Sequence, residues 1–162
     1  ADRARAMTLF RHACKRGDGL GCRFSGQLKR ACQLRDRDAC VAIAIAALKQ
    51  PTASSQLPNR ALLANSCQRE KSALACRFLG LRAWQASAGK WTGAEASLRW
   101  LRSGCRQCDR QSCVAASGIL RMTAEQGHLQ TTALEKARAE SAEMAQRACA
   151  LGHQPACESE QP

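Results

Sequence analysis

The chain has 162 residues, a formal net charge of +12 and 45% hydrophobic residues, yet only 4% aromatics and no tyrosine. Alanine supplies much of the apolar content, which suits close helix–helix packing and argues against a β-sandwich, whose strands favour β-branched and aromatic residues. The longest apolar run, residues 41–48, falls far short of the roughly 20 residues of a membrane span.

Residues 1–16 place Ala6, Leu9, Phe10 and Ala13 at helical spacing, predicting an amphipathic helix with those four inward. Gly17-Asp18-Gly19 ends it, and Asp18 suits the cap of the next helix. Two helices joined by so short a turn lie antiparallel. Residues 20–34 allow two readings: one helix throughout, or two half-motifs brought together by a loop absent from this numbering. The phrase Gly26-Gln27 before Leu28-Lys29-Arg30-Ala31-Cys32 favours the second. Residues 38–50 are apolar on almost every side, predicting a central helix.

Residues 51–58 read as a loop, with Pro58 heading a helix that carries Leu62, Leu63 and Ser66 on one face. Helices follow over 74–87, over 94–104 with Leu98 and Leu101 inward, and over 112–125, with a loop at 88–93. A break at Gly127-His128 precedes a longer helix over 129–151, acidic at Glu135, Glu140 and Glu143 and ended by Gly152. Residues 158–162 read as a frayed tail. Nothing alternates with period two, so the fold class is all-α.

Ten of the eleven cysteines recur as pairs eight positions apart, with one extra residue in the third: Cys14 and Cys22, Cys32 and Cys40, Cys67 and Cys76, Cys105 and Cys113, Cys149 and Cys157. Each follows a small residue, and only Cys108 is left over. Five copies of one device are an internal repeat. The interval from Cys22 to Cys40 is 18 positions, half of the 36 and 37 that separate Cys40, Cys76 and Cys113.

Ala75-Cys76-Arg77-Phe78-Leu79-Gly80-Leu81 resembles the phrase of the Sel-one-like repeats, relatives of the tetratricopeptide repeats. Cys22-Arg23-Phe24-Ser25-Gly26 keeps the glycine at the same offset. The upstream halves Leu9-Phe10-Arg11-His12-Ala13-Cys14 and Met144-Ala145-Gln146-Arg147-Ala148-Cys149 also match. The family's usual tyrosine and its Gly-x-Gly-Val-x-x-Asp loop are missing. The resemblance implies an αα-hairpin repeat solenoid over residues 1–157, starting and ending mid-repeat. It also implies disulfide-linked helix corners and a periplasmic or secreted protein that binds other proteins.

A cysteine in the last turn of one helix and another in the first turn of its antiparallel neighbour agree with that pairing, since a disulfide needs Cα atoms about 5.5–6 Å apart. Each bridge would contribute roughly 2–3 kcal/mol in the chain-entropy model, in an oxidising compartment. The rival is metal. Cys105 and Cys108 form a CxxC, with Cys113 and His153 as conceivable companions, but a zinc ribbon needs a second knuckle. A redox CxxC accompanies a βαβ pattern. No metal or cofactor is therefore expected, and Cys108 reads as a spare, exposed thiol; an intermolecular bridge, a covalent attachment and a metal contact are its alternatives.

Catalysis finds little support. His12, His128 and His153 lie at helix ends or turns without acidic partners, and read as surface residues. Ser87-Ala88-Gly89-Lys90 matches SxxK, but at a helix end and without the companion elements. The expectation is a binding protein, not an enzyme. The resemblance places the helix after each second cysteine on the concave side of the solenoid. There Arg77, Leu81 and Trp84 share one stripe, and Arg23 and Arg121 could extend it into a basic, partly apolar groove; the competing reading of Leu81 and Trp84 is core between repeats. Trp91 and Trp100 read as packing residues.

Two functions follow. One is an extracytoplasmic scaffold or envelope-assembly subunit for another, acidic protein. The other is a binder of an anionic polymer or surface (nucleic acid, glycan or lipid) through its arginines, nucleic acid being disfavoured because no stacking aromatics interleave with them. A haem-handling role ranks last, as CxxCH is absent. The start at Ala1 suggests a mature or truncated product, and ends without capping helices should need covering by a partner, more chain or a second copy.

Overall fold

The computed structural model describes residues 2–49, 56–88, 90–126 and 131–158. Among them every regular element is helical: α1 Asp2–Lys15, α2 Gly19–Phe24, α3 Leu28–Gln33, α4 Arg37–Leu48, α5 Gln56–Gln68, α6 Ala73–Ala86, α7 Trp91–Arg106, α8 Arg110–Glu125, α9 Thr131–Ala150 and α10 Gln154–Glu158. No helix is long and apolar enough to cross a membrane. Residues 51–55 of the expected loop, the break at Gly127-His128, the tail from Ser159 and the side chain of Trp91 lie outside what is described. The chain divides within α5 into two compact units, Ala1–Ser66 and Cys67–Pro162.

One nine- or ten-residue corner recurs five times. The first cysteine of each pair lies in the last turn of a helix, and four residues later in the tighter corners the next helix is already being capped. Between them stands one residue with positive φ: Gly17 (89°), Arg35 (64°), Lys71 (57°), Cys108 (62°) and Gly152 (84°). The residue after it closes the finished helix through its backbone N–H. Asp18 donates to Ala13 O at 3.1 Å, Asp36 to Ala31 O at 3.0 Å, Asp109 to Gly104 O at 3.1 Å and His153 to Ala148 O at 3.0 Å. These are Schellman closures, which satisfy carbonyls that the helix end would leave unpaired.

The same residue then caps the next helix. Asp18 accepts from Leu20 N at 3.0 Å, Asp36 from Ala39 N at 2.9 Å, Ser72 from Ala75 N at 3.4 Å and Asp109 from Ser112 N at 3.0 Å. With the end of one helix and the start of the next fixed by adjacent residues, the two cysteines meet. All five expected disulfides are present, with Cα–Cα distances from 4.3 to 5.0 Å, shorter than the usual 5.5–6 Å. So close a crossing explains the small residue before each cysteine. A Cβ on Gly21 would stand 2.6 Å from Ala13 Cβ, and one on Gly104 2.3 Å from Ser112 Oγ.

Several expectations are corrected. Residues 20–34 do not form a single helix: α2 and α3 are separate short helices, as two half-motifs would be, parted by Gly26 at φ 84° and closed by Gln27 N to Cys22 O at 2.8 Å. Leu9 does not point inward but is 61% exposed, while Phe10 stacks on Phe24 with ring centroids 5.0 Å apart. In α4 only Ala39, Val41 and Ala44 are fully buried, so it is not central on all sides. The α5 helix starts two residues before Pro58, because proline is tolerated in a first turn where its missing N–H has no helical acceptor. The α7 helix opens at Trp91, three residues earlier than expected.

The first unit's small core joins Cys14, Cys22, Ala31 and Ala39, flanked by Leu28 and Cys32. The second unit's larger core runs through α7, α8 and α9 and includes Leu98, Leu101, Ala116, Ile119, Leu120 and Met144. Cys108 occupies a left-handed position that glycine fills at two other corners, and a side chain there costs about 1 kcal/mol. Replacing it tests that role. In urea denaturation, Cys108→Gly should raise stability by about 1 kcal/mol, and Cys108→Val, β-branched at positive φ, should lower it by a similar amount; equal effects of the two would contradict the assignment.

Candidate functional site

The residue after Cys22 and the residue after Cys76 are both arginine, and both reach forward to the cap of a later corner. Arg23 Nε lies 3.3 Å from Asp36 Oδ2, and its Nη1 also bonds Asp38. Arg77 Nη1 lies 3.1 Å from Asp109 Oδ1 and also donates to Gln111. Each aspartate thus caps a helix and receives an arginine at once. The two side chains are only 27% and 23% exposed, so their guanidinium groups are largely committed within the fold. At the same sequence position Cys40 and Cys113 are followed by Val41 and Val114, and the residues at the corresponding corner position there are Ser72 and His153, neither of them a carboxylate.

The expected stripe is therefore divided. Arg23 lies in the first unit and Arg77, Leu81, Trp84 and Arg121 in the second. On α6, Arg77 is held by its ion pair, Trp84 is half-buried against the α7–α9 core, and Leu81 is 39% exposed. Arg121, on α8, is 69% exposed and among the described residues reaches only Glu125 of its own helix, at 3.9 Å. Trp100 is half-buried, with the Arg99 guanidinium 4.9 Å above its ring. The sequence signal that sets Arg23 and Arg77 apart is the aspartate four places before the next second cysteine, Asp36 before Cys40 and Asp109 before Cys113.

Arg121 opens onto a groove of about 610 Å³ between α8 and α9, lined by Ser117, Ala124, Glu125, Arg138, Ser141, Ala142, Ala145 and Gln146 as well. Its floor is small and internally bonded: Ser141 Oγ donates to Ser117 O at 3.1 Å, and the two hydroxyls are 3.1 Å apart. Arg138 is exposed and makes no ion pair among the described residues. Two guanidinium groups and one carboxylate leave the rim with an excess positive charge, an arrangement that can receive an acid.

Other charged groups serve the scaffold. Arg102 joins α7 to α9 through Glu140, with Nη2 to Oε2 at 2.8 Å, and also reaches Glu95 at 3.2 Å. The hydrogen bonds to Glu140 hold its guanidinium above the ordinary arginine range, against the opposing pull of burial. On the arginine side, a raised pKa contributes stability below the arginine range that is lost as pH rises through it. The CxxC has no dithiol to offer, because Cys105 is bound to Cys113. Ser87 ends α6 with its hydroxyl donating to Trp84 O at 2.7 Å. His12 is exposed on α1, His153 stands at the last corner, and His128 lies outside the described residues. Among the described residues no three His, Cys, Asp or Glu side chains gather as a metal site would require.

Compared with protein-family models, curated proteins and solved structures, the chain matches none of them significantly. The ion pairs make a direct test of which arginines serve the fold. Arg77→Ala strands Asp109 at a helix start and should lower stability in urea by about 1–2 kcal/mol, whereas Arg121→Ala should stay within about 0.5 kcal/mol of the parent. An Arg77→Ala protein as stable as Arg121→Ala would contradict the division.

Proposed function

We propose that the chain is an extracytoplasmic protein-binding scaffold, periplasmic or secreted, with no catalytic role of its own. In this reading Sel-one-like αα hairpins stack as a solenoid and present helical faces to another protein, acidic by charge complementarity, within a larger assembly. The observation that carries it is the fivefold corner with its five disulfides. Such bridges persist in oxidising compartments and stiffen helices whose cores are thin. Repetition of a rigid unit builds surface, and ten of the eleven cysteines and the aspartates of three corners are occupied as staples and caps.

A second reading has its own support. The net charge is +12, and Arg121 and Arg138 stand exposed on one groove, so the chain could bind an anionic polymer such as a glycan or a lipid surface.

Salt separates the two. A polyanion held by about six arginine contacts should lose about 10³-fold in affinity between 50 and 200 mM salt. For a protein partner captured from the native source, the account expects a change below about tenfold over the same interval, measured by calorimetry on the oxidised chain. If the only saturable ligand is heparin or a similar polymer, with the steep slope, the scaffold reading is lost.

A further inference from the structure

The excess positive charge is not shared evenly along the chain. Residues 1–66, the first compact unit, hold 12 lysines and arginines against 4 aspartates and glutamates, and residues 67–162 hold 13 against 9. Among the described residues of the first unit, every ion pair is made by Arg23, which takes both Asp36 and Asp38. Asp18 is occupied as the cap of α2. The other described cations of this unit stand exposed, so the first unit carries most of the field that an anionic partner would feel.

Two exposed leucines stand where the first two corners touch. A Cβ on Gly19 would lie 3.5 Å from Leu34 Cβ and 3.2 Å from Asp36 Cβ, so the first corner packs directly on the second there. Leu20, the next residue, is 48% exposed, and Leu34 is 39% exposed. Both corners lie inside the described chain, so each leucine is left open with its neighbouring corner already in place. Lys15 on the first corner and Arg35 and Arg37 on the second are exposed beside them. A turn tip is convex. It offers leucines and long cationic side chains to a surface, and no recess to an incoming helix.

We propose that this edge of the first unit rests on an anionic lipid surface, with Leu20 and Leu34 entering the acyl boundary and Lys15, Arg35 and Arg37 meeting phosphate headgroups. Apolar side chains set among cations make an interfacial anchor, in which apolar burial and attraction to anionic lipid add. A glycan or a nucleic acid would use the charge and leave both leucines in water. The inference rests on the second, charge-based reading above; it names the anion and places it on the first unit. It is compatible with a scaffold, which when held at a membrane still presents its other helical faces.

The test is cosedimentation of the full oxidised chain with vesicles of phosphatidylcholine, alone or with about 30% phosphatidylglycerol, beside a titration with dextran sulfate. The expected result is saturable binding to the anionic vesicles and none to the neutral ones. Leu20→Ser with Leu34→Ser should weaken vesicle binding about tenfold and leave dextran sulfate affinity within about twofold of the parent. Lys15→Gln with Arg35→Gln should weaken vesicle binding about 30-fold, and Arg121→Gln in the second unit should bind like the parent. All these positions are exposed, so the variants should melt like the parent. In the unaltered chain, a spin-labelled lipid should broaden the Leu20 and Leu34 methyl signals in NMR before those of other leucines. Vesicle binding indifferent to the leucines, or no vesicle binding while dextran sulfate still binds, would overturn the lipid edge and leave the charge-based reading standing. Failure of vesicles and dextran sulfate alike would remove both. A captured protein whose binding depends on Leu20 and Leu34 when that of vesicles does not would give the edge to that protein and overturn the proposal.

Discussion

Within each corner a helix must stop, reverse and start again in about five residues without leaving its end groups unpaired. A backbone that turns so sharply needs one left-handed residue, an acceptor for the N–H groups of the new helix, and donors for the last carbonyls of the old one. Here a single residue after the left-handed position does both of the latter, through its N–H backwards and, at Asp18, Asp36 and Asp109, through its carboxylate forwards. The disulfide then locks a geometry that the capping hydrogen bonds have already set. Remove the turn and the sulfur atoms do not meet; remove the disulfide and a shallow core must hold the hairpin alone.

The corners are also connected to one another. Asp36 and Asp109 each carry a third duty as the acceptor of an arginine that follows an earlier second cysteine. An ion pair that ends on a capping carboxylate couples the placement of one helix to the start of another, with the side chains only partly screened by water. This separates arginines that hold the fold from those left exposed. Arg23, Arg77 and Arg102 belong to the first kind; Arg121 and Arg138 belong to the second.

Much of this architecture was legible in the order of residues. The cysteine spacing, the small residue before each cysteine and the glycines and aspartates between them led to helices, tight turns and five bridges. What escaped was whatever depends on which face a side chain takes. Leu9 fits a helical apolar stripe yet stands exposed, because Phe10 takes the contact with Phe24. Arg77 and Trp84 share a stripe with Leu81, but the partners that engage them, Asp109 and the core of α7–α9, come from more distant parts of the chain. Of the candidate surface, Arg121 and Leu81 were both foreseen and left exposed, and Arg138, which lines the same groove as Arg121, carried no local mark.

The account depends on the corner as a covalent and hydrogen-bonded unit, and the most direct measurement is peptide mapping of the unreduced chain with a count of free thiols. It predicts five local bridges, Cys14–Cys22, Cys32–Cys40, Cys67–Cys76, Cys105–Cys113 and Cys149–Cys157, with one alkylatable thiol, on Cys108. A bridge joining cysteines of different corners, or Cys108 found in place of Cys105 or Cys113, would contradict it.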